Sequence, residues 1–470
     1  MLNSTITSVN YTAEMANFAA NSTFESLPSS FVAILSIFML DIFAVMLTGT
    51  VQPVYQSALE AVKFSHGSSG GNVTYKTLDG ANTSLSGQMY TMGLATGDFE
   101  FDHVIEGSHA SSSVFPALLC VAAAYHKSGK DLLSAMAIGY EYATRIGYAV
   151  GGEDAEEETG FHAMINGAPA TAAAVGNLMG WDADLIASAM GLAASSSSGL
   201  YAWINTESMT RRTHPANQGQ LGAEAALLAK AGVVGPPNIM ENGYGYLNAF
   251  SVDPQPNLLI DGLGEKWESA EQTLKALPVH ARGLGFAYAV DLYRQDHSWS
   301  ASDISNITIY AGPPVLDPRN WILEPQSLST AQYSIPFGIV ASLVADLRNP
   351  LNMNDALVFN QTARDLTANI KGVSITDDPT YFLGYMTVNI GNELVNITVD
   401  GYPGLPGSDG YQQAAEDKYS AVLKALDLGE KGGKVKNVVA NLIDCDDVSV
   451  LLDDLIELGT AGTANYLAKA

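Results

Sequence analysis

The sequence is poor in cations. Twenty-two Lys and Arg stand against 49 Asp and Glu in 470 residues, a net charge of −27. A surface of that sign repels phosphate backbones, so no nucleic-acid partner is expected. It also repels anionic metabolites at long range. An anionic substrate would need the scarce cations gathered in one place. Cysteine is scarcer still: Cys120 and Cys445 are the only two, with no CxxC and no metal-ligand spacing. Two buried thiols in a reducing compartment, and no bound metal, are the expectation. No basic residue precedes Lys63. Neither a secretory n-region nor an arginine-bearing presequence is read at the start, which points to a cytoplasmic protein. Eight Asn-x-Ser/Thr sequons are read as chance in that context.

With 47% hydrophobic and 15% charged residues the chain is globular, and its length suits two domains. The run Phe31–Gly49 is long enough to tempt a membrane-span reading. Asp41 at its centre and the lack of a basic flank make it a buried core helix instead, and no membrane partner is expected. Ser29 or Ser30 is its expected N-cap. Further helices are expected over 11–29 (with a loop), 86–97, within 114–149, over 183–194 and over 221–232. The stretch 64–85 reads as a loop, and the acidic 151–159 as a solvated one. Beyond about residue 265 the pattern changes. Ile307–Tyr310, Met386–Ile390 and Leu394–Val399 alternate or carry β-branched residues, flanking a helical pair near 330–346 and 354–370. The expected architecture is a mostly α-helical large domain (1–265 with 405–470) and a smaller α+β domain (266–404).

Chemistry concentrates between Gly97 and His109. Asp98, Glu100, Asp102, Glu106, His103 and His109 crowd a short stretch flanked by small apolar residues. Buried carboxylates and imidazoles are costly without partners, so the cluster is a candidate site.

Several scattered segments resemble one family, MmgE/PrpD. They are the helix ending Met39–Gly49, Gly139-Tyr-Glu-Tyr-Ala-Thr-Arg-Ile-Gly147, Gly160-Phe-His162 with the Gly/Ala helix behind it, Met190–Leu200, Arg211-Arg-Thr-His-Pro215, Leu274-Lys-Ala-Leu-Pro278 and Glu324–Pro336. The likeness runs from about residue 11 to 456. There are departures. Glu100 and Phe101 stand for a pair of aspartates, Asp102 for Thr or Tyr, Arg211 for Lys and Ala216 for Gly. A family histidine beyond Lys275 is missing, with His280 as its stand-in.

The resemblance implies the two-domain fold, a homodimer, and a cofactor-independent lyase acting on a small polycarboxylate. Dehydration of a 2-alkylcitrate is the first expectation and decarboxylation of cis-aconitate the second. Dicarboxylate isomerisation or epimerisation and a non-catalytic binding homologue are the rivals. It implies His162 or His109 as proton shuttle, with Asp98 orienting a histidine or holding a substrate hydroxyl. Arg211 and Lys275 would grip carboxylates, Lys275 belonging also to the catalytic group. His103 joins that group more weakly; Arg212, Asp102 and His280 would help bind substrate. Such residues suit the chemistry. A carboxylate-stabilised carbanion needs preset cations where charge develops, an imidazole titrating near neutrality and a dry pocket.

Overall fold

The computed structural model describes residues 9–66, 74–97, 99–378 and 382–469. In chain order the elements are α1 (Tyr11–Asn21), α2 (Ser29–Gly49), α3 (Pro53–Ser65), the short pair β1 (Tyr75–Lys76) and β2 (Asn82–Thr83), α4 (Leu85–Gly97), α5 (Ala110–Ser113), α6 (Phe115–Ala124) and α7 (Gly129–Val150). Next come α8 (Asp154–Thr159), α9 (Gly167–Leu178), α10 (Ala183–Ser195), α11 (Thr210–Lys230), α12 (Tyr246–Phe250) and α13 (Leu284–Asp296). The sheet region follows: β3 (Ile304–Ala311), α14 (Leu328–Tyr333), α15 (Ile335–Val344), α16 (Asp355–Val358), α17 (Gln361–Asn369), β4 (Lys371–Ser374), β5 (Gly384–Ile390) and β6 (Glu393–Val399). The chain ends in α18 (Tyr411–Ala425), α19 (Gly433–Ala440) and α20 (Ser449–Leu467). The fold is mostly helical with a small mixed sheet.

Small residues set how closely the central helices approach. A Cβ on Gly222 of α11 would sit 2.4 Å from the Ala168 carbonyl oxygen of α9, and one on Gly93 of α4 would sit 2.5 Å from Ala216 Cα of α11. Only glycine permits that proximity of backbones. Hence α9 packs among α7, α10 and α11, and α11 lies along α4.

Helix α2 is long and apolar enough to cross a membrane, yet 78% of its most apolar window is buried inside the protein. Helices α4, α18, α19 and α20 cover it. The acidic residue on it has partners: Asp41 takes the Lys418 ammonium of α18 at 2.8 Å and His103 Nδ1 at 2.8 Å. The C-terminal helices thus return to the N-terminal half.

The sheet runs β4-β3-β5-β6, with β3 and β4 parallel and the other pairs antiparallel. Helix α13 lies on β6 and α17 on β3.

Four local expectations need correcting. Pro28, not Ser29 or Ser30, is the residue before the first turn of α2, both serines being inside it. The stretch 64–85 is more than a loop, since α3 runs to Ser65 and β1 and β2 pair. The stretch 151–159 folds as α8 after a Gly151–Gly152 turn at positive φ, and buries Glu156. The helix expected at 221–232 begins at Thr210, despite Pro215. That proline cannot donate to the Arg211 carbonyl. Its ring instead fills the space beside Gly97, where a Cβ would meet Pro215 Cγ at 2.4 Å.

Candidate active site

Residues 99–109 link α4 to α5 and carry a cluster of buried charge. The segment is held by a two-way backbone bridge: Val104 N–H donates to Thr273 O at 3.0 Å, and Thr273 N–H to Val104 O at 2.7 Å. That bridge brings Lys275, two residues on, against Glu100. Glu100 itself has φ of 51°, the left-handed region. For a side chain other than glycine this costs on the order of 1–3 kcal/mol, a strain that concentrates at functional sites.

Three buried cations from two other segments converge on this turn. Lys275 Nζ lies 2.6 Å from Glu100 Oε1 and 4.0 Å from Asp102 Oδ1. Arg211 Nη1 lies 2.9 Å from Glu100 Oε2 and Arg212 Nη1 3.9 Å from the same oxygen. Burial alone would raise the Glu100 carboxyl, but Arg211, then Lys275 and Arg212, hold it well below the usual range. Glu100 is therefore ionised. Arg212 also donates to Gln332 Oε1 at 2.9 Å and to the Gly97 carbonyl at 3.3 Å. Arg211 stays central, its guanidinium 5.3 Å from the Tyr333 ring centre.

Beside the cations stand three imidazoles. The His162 ring centre is 5.9 Å from that of His109 and 5.5 Å from that of His214. Trp203 meets His162 edge-on at 5.3 Å, and Tyr201 stacks on it at 6.1 Å. Asp102 Oδ2 receives His109 Nδ1 at 3.0 Å and the Ser112 hydroxyl at 3.1 Å. Burial works to raise Asp102, but His109, then Lys275 and Arg211, keep it far below the ordinary carboxylate range. An ionised Asp102 holds a His109 proton on Nδ1.

His162 and His214 have the opposite bias. Burial first, and then the positive charge of Arg211, press His162 well below its ordinary value and His214 down to about 4. Both are neutral at pH 7. Buried polar atoms of this group lack a hydrogen-bond partner among the described residues: His162 Nδ1, His214 Nδ1, Trp203 Nε1, Arg211 Nε, Gln218 Oε1 and Asp102 Oδ1. Orphaned atoms of this kind are costly, and their gathering here marks where a polar ligand would be recognised.

Of the residues singled out in the sequence, the structure brings His109, His162, Arg211, Lys275 and Asp102 together, with Arg212 at the rim. His280 also lies at the edge. Its ring is 5.9 Å from Tyr333, and burial depresses it to about 3. Asp98 lies outside the described residues. His103 is placed elsewhere: Nδ1 faces Asp41 at 2.8 Å and Nε2 faces the Tyr140 hydroxyl at 3.1 Å, with Phe38 stacked on the ring at 4.6 Å. Both nitrogens serve the core, which corrects its assignment to the catalytic group.

Three participants escaped sequence reasoning. His214 follows Arg211 by three residues on α11, the spacing that puts two side chains on one helical face; that signal was available. Glu156 was hidden in an acidic run. Trp203 carried no signal.

A mostly helical body that buries cations beside neutral imidazoles is a scaffold for handling small anions away from water. The sequence profile of the MmgE/PrpD N-terminal domain matches residues 13–259, and the chain belongs to the MmgE/PrpD family. It is similar to a cis-aconitate decarboxylase-like protein, oryM, of Aspergillus oryzae: 28% identical over 353 residues, spanning 68% of this chain and 70% of that one. It is 22% identical to a cis-aconitate decarboxylase of Aspergillus terreus over 354 residues, 71% of each. A human cis-aconitate decarboxylase is 27% identical over 200 residues, 41% of this chain and 40% of that one. Family and relatives together support an enzyme of lyase type.

Proposed function

We propose that this protein expels carbon dioxide from a small unsaturated polycarboxylate of the cis-aconitate kind. The observation that carries the reading is the convergence of Arg211 and Lys275 with His109, His162 and His214 around unpartnered polar atoms. Breaking the carbon–carboxylate bond leaves an electron pair on carbon. Fixed cations stabilise that developing charge far better in a dry site than in water. Arg211 offers a planar fork to a carboxylate and Lys275 a point charge. A neutral imidazole carrying an N–H then protonates the carbon, and His162, whose Nδ1 has no hydrogen-bond partner among the described residues, is the residue for it.

A second reading is dehydration of a 2-alkylcitrate, favoured by the Asp102–His109 pair. A carboxylate behind an imidazole makes a base, which proton removal beside a carboxylate requires. Incubation with cis-aconitate, 2-methylcitrate and longer alkylcitrates separates the two. Carbon dioxide release from cis-aconitate that is abolished in His162→Ala supports the first. Alkene formation from an alkylcitrate without gas supports the second. Neither activity would overturn both.

A further inference from the structure

Glu156 is a buried acid that the reading above leaves without a task. It lies on α8, six residues before His162, and the positive-φ turn at Gly160 folds the chain back so that the two side chains meet. Its Oε1 accepts the Ala163 N–H at 2.7 Å and stands 3.8 Å from His162 Nε2. Among the described residues no lysine or arginine lies within ion-pair reach of it, whereas Glu100 has three. The imidazole is oriented by what surrounds it: Nε2 toward Glu156, Nδ1 without a hydrogen-bond partner among the described residues, with Tyr201 stacked and Trp203 edge-on.

We propose that Glu156 is the positioning residue for His162: as a carboxylic acid facing Nε2 it keeps the ring proton on Nδ1 and replaces it after transfer. The proposal rests on the lyase reading for its reaction, though not for its account of the imidazole. In the step, the carbon–carboxylate bond breaks and carbon dioxide leaves without the bonding pair. The resulting carbanion takes the proton from His162 Nδ1. The Nε2 lone pair takes the proton of Glu156, leaving the other tautomer of neutral imidazole and a carboxylate. One proton from solvent, taken up at Nδ1 as Nε2 returns its own to Glu156, then restores both groups. No imidazolium has to form beside Arg211. Hydrogen bonds of this kind are often long in a ligand-free site and tighten with substrate, which the 3.8 Å separation requires.

The charge environment agrees. Burial, and then the Glu153 carboxylate, raise Glu156 to about 8 against the pull of the Ala163 N–H and of Arg211 and Arg319. Besides those groups it faces the His162 ring, and Tyr201 lies beyond that ring. The acid form therefore prevails at neutral pH and is lost as pH rises through about 8.

Two measurements test this. Glu156→Gln keeps a carbonyl oxygen for the Ala163 N–H but cannot give up a proton. Its kcat is expected to fall by about 100-fold, the usual reach of a proton-transfer partner. KM should stay within about twofold, the high-pH limb of the wild-type profile should disappear, and Glu156→Asp should regain part of the rate. Unchanged kcat, or a basic limb identical in the two proteins, overturns the proposal. The second measurement needs no turnover. Nitrogen-15 spectra of the ligand-free protein, with His162 assigned through His162→Ala, are expected to show the proton on Nδ1 at pH 7. That signal should move toward Nε2 protonation above about pH 8 in the wild type. A ring protonated on Nε2 at pH 7 overturns the proposal even if the enzyme decarboxylates. The expected spectra without turnover would instead retire the lyase reading alone.

Discussion

Two buried glutamates sit on either side of the same imidazole cluster and are held in opposite states. At the Glu100 corner, the carboxylate meets Lys275, Arg211 and Arg212 from two other segments and stays ionised. At the Glu156 corner, one backbone N–H is the only hydrogen-bond donor to the side chain among the described residues, and the acid stays protonated near neutrality. Residue type is the same and burial is similar; the cation count differs. Pairs of titratable groups driven apart by their surroundings divide the roles of charge and proton between them. Glu100 belongs to the electrostatics of the pocket, and Glu156 to its protons.

That contrast can be broken most forcefully at the charged corner. Lys275→Met leaves Glu100 with one cation fewer in a buried site. Losing one partner of such a group costs about 3–5 kcal/mol. Urea denaturation at pH 7 should show a drop of that order, and Lys275→Met with Glu100→Gln should recover much of it. If the double variant is no more stable than the single one, the charge account of this corner is wrong.

The proton corner should respond more weakly and mainly to pH. A group whose folded pKa is raised adds stability that is fully present below its unfolded value and disappears as pH rises through the folded one. For Glu156 that window runs from the ordinary carboxylate range up to about 8. Wild-type Tm should fall more steeply across it than that of Glu156→Gln. At pH 5.5 the two should differ by no more than about 1 kcal/mol, since a protonated acid and an amide make similar hydrogen bonds. A Glu156→Gln protein as pH-sensitive as wild type would place the missing proton elsewhere.

The smallest effect concerns His214, whose sign is reversed. Its depressed pKa contributes stability that is present above about 6.5 and lost as pH falls through about 4. His214→Asn should therefore flatten the acid side of the Tm curve over that range, leaving the alkaline side alone. An unchanged acid slope removes His214 from the buried neutral set.

Much of the scaffold was legible in the sequence, for stated reasons. The apolar run of α2, the periodic α7 and the alternating β3, β5 and β6 depend on local patterns that tertiary contacts only reinforce. The cluster was legible where distant motifs carried it: Arg211, Lys275, His109 and His162 lie far apart in the chain and together in space. Other features depended on contacts no local pattern records. A run reading Glu-Asp-Ala-Glu-Glu-Glu looks solvated throughout. Yet Glu156 is buried while Glu157 remains exposed, because the turn at Gly160 folds one face of α8 inward. His103 looked like a site residue by its neighbours and became a core residue because Asp41, 62 positions earlier, reaches it. Phe101, standing where the family has an acid, packs against the Lys418 ammonium at 3.9 Å.

Lys418 has a further consequence, one of timing. Its ammonium reaches the Asp41 carboxylate on α2 and also the Phe101 carbonyl within the turn that bears Glu100 and Asp102. Until α18 emerges from the ribosome, α2 carries an acid without its lysine partner. Domains ordinarily consolidate from the N-terminus as they are made. Here the turn bearing Glu100 and Asp102 waits for nearly the whole polypeptide before Lys418 reaches it, so shortened products of translation would lack that contact.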